Sequence, residues 1–266
     1  MNRDSLVGSI KARVAPFVPQ SILRRRWVEH ELVHGEGELS VAKKLLPKGG
    51  TLVDIGANSG IYSAMCVQSG GRAVAFEPVP AECERLRDML GDKGEVHQVA
   101  LGDAFGEAVL FVPYTQEGDV TTRSSLHAEL DSTLAHRSID VEIATLDSFA
   151  LSTISVLKID VEGHEAAVLR GARATLERLR PAVIIEVEDE RLPGVFVEVC
   201  DLLEGLGYTG YWLDGGKPRK IAEFDLTLNQ DPTQRPQWGE SKSDGYVNNF
   251  VWLGEAVSRH ALGWPS

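Results

Sequence analysis

The sequence predicts a doubly wound α/β fold with a mostly parallel sheet. Apolar runs and helix-compatible stretches alternate in the order β, α, β, α, β at spacings of roughly 25 residues, which is typical of a parallel sheet wrapped by helices. The first apolar run, from Thr51, ends in Asp54 and passes through Gly56 and Gly60 directly into a helix-compatible stretch. The run 181–188 is a further apolar strand. All-β and helical-bundle architectures do not produce this alternation.

The remaining elements follow from periodicity, caps and breakers. Residues 1–47 form a predicted N-terminal helical extension, interrupted by Pro16 and Pro19, and residues 48–266 form the main part of one compact domain. Helices are expected at 22–30, 38–46, 61–68, 81–90, 165–179 and 195–206. Strands are expected at 72–78, 96–103, 107–112, 140–145, 207–213 and 248–253, with another beginning at 154.

The segment 104–150 interrupts the alternation. Its two strands are separated by a polar stretch from Tyr114 to His136, which predicts an inserted hairpin with a long loop. Long loops inside compact domains are often functional. We therefore assign this insertion to the substrate side, with Ser124 and Ser125 near its middle.

The amino-acid composition disfavours several classes of function. The 266 residues carry 39 acids against 27 bases, a formal net charge of -12, and a surface of that sign disfavours a nucleic-acid substrate. The three cysteines are scattered and lack metal-ligand spacing, as expected for reduced thiols. With neither a signal-peptide pattern nor an 18-residue apolar run, we expect no transmembrane segment and a cytoplasmic protein. The oligomeric state stays open, with a homodimer among the alternatives.

The glycine turn predicts a small-molecule site. Gly56 and Gly60 allow a sharp turn and close approach of a ligand, and the new helix offers unpaired N–H groups. A dinucleotide fingerprint would need glycines where Asn58 and Ile61 stand, so it fails. The Asp54 carboxylate suits an ammonium group and would repel a phosphate. S-adenosylmethionine carries an ammonium, a sulfonium and no phosphate, and so suits such a site. The alternative at this point is a glycine turn at a buried strand end that binds no ligand.

The next two strands support an adenosine ligand. Glu77 ends the second strand, where a carboxylate can accept both ribose hydroxyls in dinucleotide and adenosylmethionine enzymes alike. The third predicted strand should end beside it. The backbone around Leu101 and the side chain of Asp103 are therefore candidates to contact the adenine.

A cluster of charges ends the strand that begins at 154. Alternation places Lys158 and Asp160 on one side of the strand, joined by Glu162 if the backbone stays extended. Ligands of open α/β sheets bind at such carboxyl ends. Structural ion pairing is the alternative, but charges on a buried strand are costly to retain without a use. Asp160, Glu162 and His164 are the candidate bases, with the two acids preferred to the histidine.

Five stretches together resemble the FkbM family of S-adenosylmethionine-dependent methyltransferases. They are Val53–Gly60, Phe76–Pro78, Val99–Asp103, Thr145–Asp147 and Leu157–Glu165. The resemblance spans roughly residues 50 to 190 and implies a class I methyltransferase (Rossmann-like) fold with a seven-stranded sheet. It also implies O-methylation of a hydroxyl on a small molecule, a sugar, a natural product or a lipid-linked glycan.

The resemblance also implies roles for individual residues. The methionine part of the cofactor would be held by Asp54, Gly56, Asn58 and Gly60, and the ribose by Glu77. The second family signature would comprise Lys158, Asp160, Glu162 and Glu165. The family varies at the position of His164, which disfavours that residue as the base.

Three alternatives remain open at the level of sequence. A divalent cation held by acids such as Asp160 and Glu186 could lower the pKa of an acceptor hydroxyl. A nicotinamide-dependent oxidoreductase is disfavoured by Asn58 and Ile61. A non-catalytic adenosylmethionine-fold binding protein is disfavoured by the retained charge cluster.

Overall fold

The computed structural model describes residues 20–115, 118–119, 121, 124–126, 135–234, 245–254, 262 and 264. Within that part, the strands are β1 Thr51–Ile55, β2 Arg72–Phe76, β3 Gly94–His97, β4 Ala100–Leu101, β5 Gly106–Thr115, β6 Gly118–Asp119, β7 Ala135–Ala144, β8 Val156–Ile159, β9 Ala182–Glu186, β10 Thr209–Asp214, β11 Lys217–Lys220 and β12 Asn249–Leu253. The helices are α1 Gln20–His34, α2 Gly37–Leu45, α3 Ile61–Gln68, α4 Pro80–Leu90, α5 Glu165–Gly171, α6 Arg173–Leu179, α7 Val195–Gly205 and α8 Leu226–Asn229.

The main sheet confirms the predicted doubly wound arrangement. Its strands lie in the order β11-β10-β12-β9-β8-β1-β2-β3, and β1 pairs in parallel with both β2 and β8. β12 inserts antiparallel between β9 and β10. The sheet has eight strands rather than seven within the described residues, because β11 pairs with β10 through a hairpin turn at Gly215 and Gly216.

The predicted third strand, 96–103, is wrong as one element. Only Gly94–His97 joins the main sheet beside β2, and Ala100–Leu101 pairs instead with the end of β7. β5 and β7 form a long antiparallel ladder from Gly106↔Ile143 to Tyr114↔Ala135. This ladder offers the chain a second sheet directly after β3, in the order β4-β7-β5-β6, and so the strand divides.

The predicted helix 165–179 divides into α5 and α6 at Ala172. Asp147 causes the new start, because its carboxylate accepts hydrogen bonds from the amides of Ala174 at 3.0 Å and Thr175 at 2.7 Å. Those amides belong to the first turn of α6, where N–H groups lack partners within the helix. A long apolar-periodic stretch therefore becomes two short helices.

The N-terminal helices share a core with the sheet. Val28 of α1 and Leu39 of α2 are fully buried in a cluster that includes Leu52 and Ile184 of the sheet and Met65 of α3. Burial of each such side chain contributes about 2 kcal/mol. The two helices thus cover one face of the sheet. The connection between them lies at the edge of the sheet where the strands β1, β2 and β8 end. No helix within the described residues is long and apolar enough to cross a membrane.

Candidate active site

A cleft lies at the carboxyl ends of β1, β2 and β8, where open α/β sheets bind their ligands. The empty space within it, which includes open solvent at its mouth, is ≈ 1030 Å³. The glycine turn and the β8–α5 connection form two of its walls. The inserted segment supplies a third through Leu110 of β5 and through Leu126.

The backbone conformation of the glycine turn restricts which residues can occupy positions 56 and 58. Gly56 has a φ of 73°, and a Cβ at this position would overlap the carbonyl oxygen of Asp160, which follows the neighbouring strand β8. Asn58 also adopts a left-handed backbone, with a φ of 45°. Asparagine is among the few non-glycine residues that tolerate this region, so it replaces the second glycine of a dinucleotide motif without losing the turn.

Asp54 lines the cleft and anchors α3 at the same time. One of its oxygens, Oδ2, accepts hydrogen bonds from the amide of Ser63 at 3.0 Å and from its hydroxyl at 2.7 Å. The residue is only 2% exposed, and this burial raises the pKa of Asp54 to about 6, although the Ser63 bonds and Lys158 lower it. Much of this carboxylate is therefore committed to the protein itself.

Glu77 holds the turn from the neighbouring strand. Its Oε2 accepts from the amide of Asn58 at 2.8 Å and its Oε1 from the amide of Val79 at 2.9 Å. Burial raises the pKa of Glu77 to about 7 against the effect of these bonds. The carboxylate lies in the cleft wall with both oxygens fixed in direction.

Of the residues predicted to contact the adenine or the acceptor, the structure places some in the cleft wall and others outside it. Leu101 lines the cleft, whereas Asp103 pairs with Arg170 on the surface at 3.0 Å and does not line it. Ser124 lines the cleft, and its buried hydroxyl has no hydrogen-bond partner within the described residues. Ser125 does not line the cleft, and its hydroxyl donates to the carbonyl oxygen of Glu162 at 2.8 Å.

Lys158 and Asp160 form the predicted pair at the end of β8. Lys158 is buried, and its Nζ lies 3.5 Å from Oδ2 of Asp160 and 5.3 Å from the centre of the Tyr62 ring. Nζ also donates to Oδ1 of Asn249 at 3.1 Å. Asp160 keeps 35% of its side chain exposed and lines the cleft. A fixed cation thus stands behind an accessible carboxylate.

Glu162 lines the cleft by a different route from the one expected. β8 ends at Ile159 and Glu162 has a φ of 49°, so the backbone does not remain extended. Its carboxylate forms an ion pair with Arg191, which also pairs with Glu188. Burial and the neighbouring carboxylates raise the pKa of Glu162, while Arg191 opposes them.

Two asparagines before and in β12 complete the strand-end network. Glu186 accepts from Nδ2 of Asn248 at 2.6 Å and of Asn249 at 3.3 Å. Asn248 also donates to Glu188 at 3.1 Å. Glu186 is therefore surrounded by amide donors. Within the described residues no group of three or more His, Cys, Asp or Glu side chains is placed to hold a metal ion, so the alternative of a cation held by Asp160 and Glu186 has no support.

His164 and Glu165 begin α5. His164 lines the cleft, and a Cβ on Gly102 would lie 3.0 Å from its Nε2. Glu165 does not line it. One of its oxygens accepts from the amide of Gly163 at 2.8 Å, and burial raises the pKa of Glu165 to about 7. This member of the second signature shapes the turn rather than the cleft surface.

Sequence reasoning missed several residues of the site. Glu36, from the α1–α2 connection, and Tyr62 both line the cleft, and the Tyr62 hydroxyl lies 3.3 Å from Oε2 of Glu36. Arg191 and Asn249 stand behind the cleft and hold Glu162 and Lys158. A tyrosine two positions after Gly60 was visible in the sequence, but no local pattern links residues 36, 191 and 249 to the cleft.

The cleft fits S-adenosylmethionine. A glycine turn that a Cβ would block, a ribose-type carboxylate at the end of β2 and an excess of carboxylates over ammonium groups suit an adenosyl ligand with a positive charge. The fold and the site together define a class I S-adenosylmethionine-dependent methyltransferase. The nicotinamide-dependent alternative is therefore wrong.

Comparison with known proteins then gives the family. Residues 54–209 match the methyltransferase FkbM domain, and the chain belongs to this family. It is 23% identical over 188 residues to the hexuronic acid methyltransferase AglP of Haloferax volcanii, covering 70% of this chain and 75% of the relative. It is 30% identical over 201 residues to the 31-O-demethyl-FK506 methyltransferase FkbM of Streptomyces tacrolimicus, covering 62% and 74%. It is 28% identical over 159 residues to the 2-O-methyltransferase NoeI of Sinorhizobium fredii, covering 53% and 64%.

Proposed function

We propose that this methyltransferase acts on a hydroxyl group of a sugar, glycan or other polyhydroxylated natural product, with Asp160 as the general base. The observation that carries the proposal is the accessible Asp160 carboxylate in the cleft beside the buried Lys158 ammonium. The relatives named for 2-O and 31-O methylation and for a hexuronic acid support an oxygen acceptor.

Asp160 suits the role better than its neighbours. Glu162 is largely buried and held in an ion pair with Arg191, so its carboxylate is less accessible to an acceptor hydroxyl than that of Asp160. His164 also lines the cleft. The cleft wall contains several acidic side chains, however, and among these Asp160 has the Lys158 ammonium 3.5 Å from its Oδ2. This ammonium helps to fix the position of the Asp160 carboxylate in the cleft wall.

In this mechanism the side chains of the protein position the acceptor hydroxyl and take its proton. S-adenosylmethionine supplies a methyl group activated by the sulfonium. Asp160 would take the proton from the acceptor hydroxyl as the oxygen bonds to the methyl carbon and the carbon–sulfur bond breaks, so that the charges of the carboxylate and the sulfonium are lost together. Holding the hydroxyl in line with the methyl group contributes much of the rate. The products are a methyl ether and S-adenosylhomocysteine.

The insertion supports a polar acceptor. The Ser124 hydroxyl is buried at the cleft wall without a hydrogen-bond partner among the described residues. A buried polar group of this kind costs free energy unless a ligand satisfies it. We assign Ser124 to acceptor or adenine binding, and Ser125 to its support. The formal net charge of -12 supports a small-molecule acceptor over nucleic acid, and a cytoplasmic location is part of the same proposal.

The test compares Asp160→Asn with Asp140→Asn, an exposed acid on β7. Transfer of labelled methyl groups would be measured on a panel of glucuronosides, glucosides and hydroxylated macrolides. We expect kcat of Asp160→Asn to fall about 100-fold or more, with S-adenosylhomocysteine still bound, and Asp140→Asn to keep full activity. A normal rate and pH profile in Asp160→Asn would exclude it as the base.

A further inference from the structure

We propose that Glu36, in the connection between α1 and α2, binds the α-ammonium group of S-adenosylmethionine. This inference rests on the proposed function only for the identity of the cofactor. The family match begins at residue 54, so it does not include Glu36. Its position was not indicated by any motif in the sequence.

The first observation is the orientation of the Glu36 side chain. Glu36 is the residue before α2, with an extended backbone at φ -67° and ψ 133°, which is the usual position for a helix-capping side chain. Its carboxylate nevertheless makes no hydrogen bond to the amides of α2. It lines the cleft instead, where its Oε2 accepts from the hydroxyl of Tyr62 at 3.3 Å.

The second observation concerns Asp54, the residue that the sequence assigned to the ammonium. Both bonds from Ser63 converge on the same Oδ2 of Asp54, and the residue is 2% exposed. One oxygen of this carboxylate therefore holds the start of α3, and the residue is almost fully buried. Half-buried Glu36 supplies a second, more exposed carboxylate at this end of the cleft.

The third observation is the electrostatic surrounding of Tyr62. Tyr62 lies between Glu36 and Lys158, and burial together with Glu36, Glu38, Asp160 and Glu186 raises its pKa well above the ordinary value. The phenol is therefore neutral and donates to Glu36, which fixes the carboxylate direction without neutralising its charge. The field in this part of the cleft is negative, which favours a bound cation.

The experiment measures binding of four ligands by calorimetry to the full chain and to Glu36→Gln. S-adenosylmethionine, S-adenosylhomocysteine and decarboxylated S-adenosylmethionine carry the ammonium group. Methylthioadenosine lacks it and keeps the adenosine and the sulfur. We expect Glu36→Gln to weaken the first three about tenfold, or ~1.4 kcal/mol, and to leave methylthioadenosine unchanged.

Two further variants serve as controls. One changes a carboxylate on the surface, and the other removes the hydroxyl that bonds to Glu36. Glu29→Gln changes an exposed α1 carboxylate paired with Arg25 and should bind all four ligands normally. Tyr62→Phe removes only the hydroxyl that holds Glu36, and should give a smaller loss with the same selectivity for ammonium-bearing ligands.

Several results would overturn the proposal. Equal weakening of all four ligands in Glu36→Gln would mean that Glu36 shapes the cleft. Unchanged binding of all four, with or without a raised KM for an acceptor, would remove Glu36 from the cofactor site. Failure of the unaltered chain to bind S-adenosylmethionine would instead contradict the cofactor itself.

Discussion

The backbone amide of Asn58 donates a hydrogen bond to Oε2 of Glu77 over 2.8 Å, and this bond ties the glycine turn to the end of β2. The other oxygen of Glu77 accepts from Val79 at 2.9 Å. The carboxylate is thus oriented before any ligand arrives, and a ribose would meet a preorganised acceptor.

Replacing Glu77 by Gln tests this arrangement. Gln has one acceptor oxygen, so its NH2 group would face one of the two backbone donors, at a cost of about 1–3 kcal/mol. We expect a lower Tm and weaker S-adenosylhomocysteine binding in a thermal-shift assay. Glu84→Gln, at an exposed position of the following helix, is the control and should change neither. Unchanged stability in Glu77→Gln would show that the two amides do not depend on the carboxylate.

Gly56→Ala should be far more damaging than Gly49→Ala. Both glycines have a φ of 73°, so both substitutions carry the same left-handed penalty of about 1–2 kcal/mol. A Cβ at Gly49 meets nothing within 4 Å, whereas a Cβ at Gly56 overlaps the carbonyl oxygen of Asp160. Denaturant unfolding and cofactor binding measure the difference. Equal effects of the two substitutions would contradict the close approach of β1 and β8 at the cleft.

Removing Arg191 should strongly destabilise the protein. Its guanidinium pairs with Glu162 and Glu188, and the side chains of all three residues are largely buried. In Arg191→Met the two carboxylates would remain buried without their cation, which costs about 3–5 kcal/mol. The double variant Arg191→Met with Glu162→Gln should recover part of this loss in urea unfolding. No recovery would mean that Arg191 acts mainly by packing.

Affinity for S-adenosylmethionine should increase with pH. Burial raises the pKa of Asp54 to about 6 and of Glu77 to about 7, so both cleft carboxyls are protonated in acid. A cation binds better once they ionise. We expect calorimetry to show tighter binding at pH 8 than at pH 5.5, by about tenfold, with proton release between pH 6 and 7. Affinity that is independent of pH would contradict the raised pKa values.

The same groups have the opposite effect on folding. Because their folded pKa values exceed the unfolded ones, the unfolded chain loses its protons first as pH rises. Asp54 should therefore lower the free energy of unfolding between about pH 4 and 6, and Glu77 between about pH 4.5 and 7. Urea titrations of Glu77→Gln and the unaltered chain would show this slope reduced in the variant.

The sequence predicted the parts of the fold that depend on local pattern. The glycine turn, the parallel strands β1, β2, β8 and β9, and the inserted hairpin all follow from residues close together in the chain. The divided third strand did not, because Ala100 leaves the main sheet for a partner at Ile143. Likewise the helix break at Ala172 depends on Asp147, which lies far away in sequence.

The residues of the cleft also divide into those that a local sequence pattern predicted and those that it did not. Gly56, Asn58, Glu77, Lys158, Asp160 and Glu162 lie in its wall and were each visible beside a strand end. Glu36 and Arg191 come from connections without a motif, and Asn249 from a strand of ordinary composition. Their roles depend on three-dimensional proximity between distant segments, for which one sequence contains no signal.

The position of β12 has a consequence for synthesis on the ribosome. Lys158 obtains its amide partner from Asn249, and Glu186 obtains both of its donors from Asn248 and Asn249. A nascent chain that has already emerged through β9 would still hold an ammonium and a carboxylate that lack these partners. The sheet should therefore consolidate late, once β12 slides between β9 and β10, and ribosome-stalled chains ending before residue 248 should remain protease-sensitive.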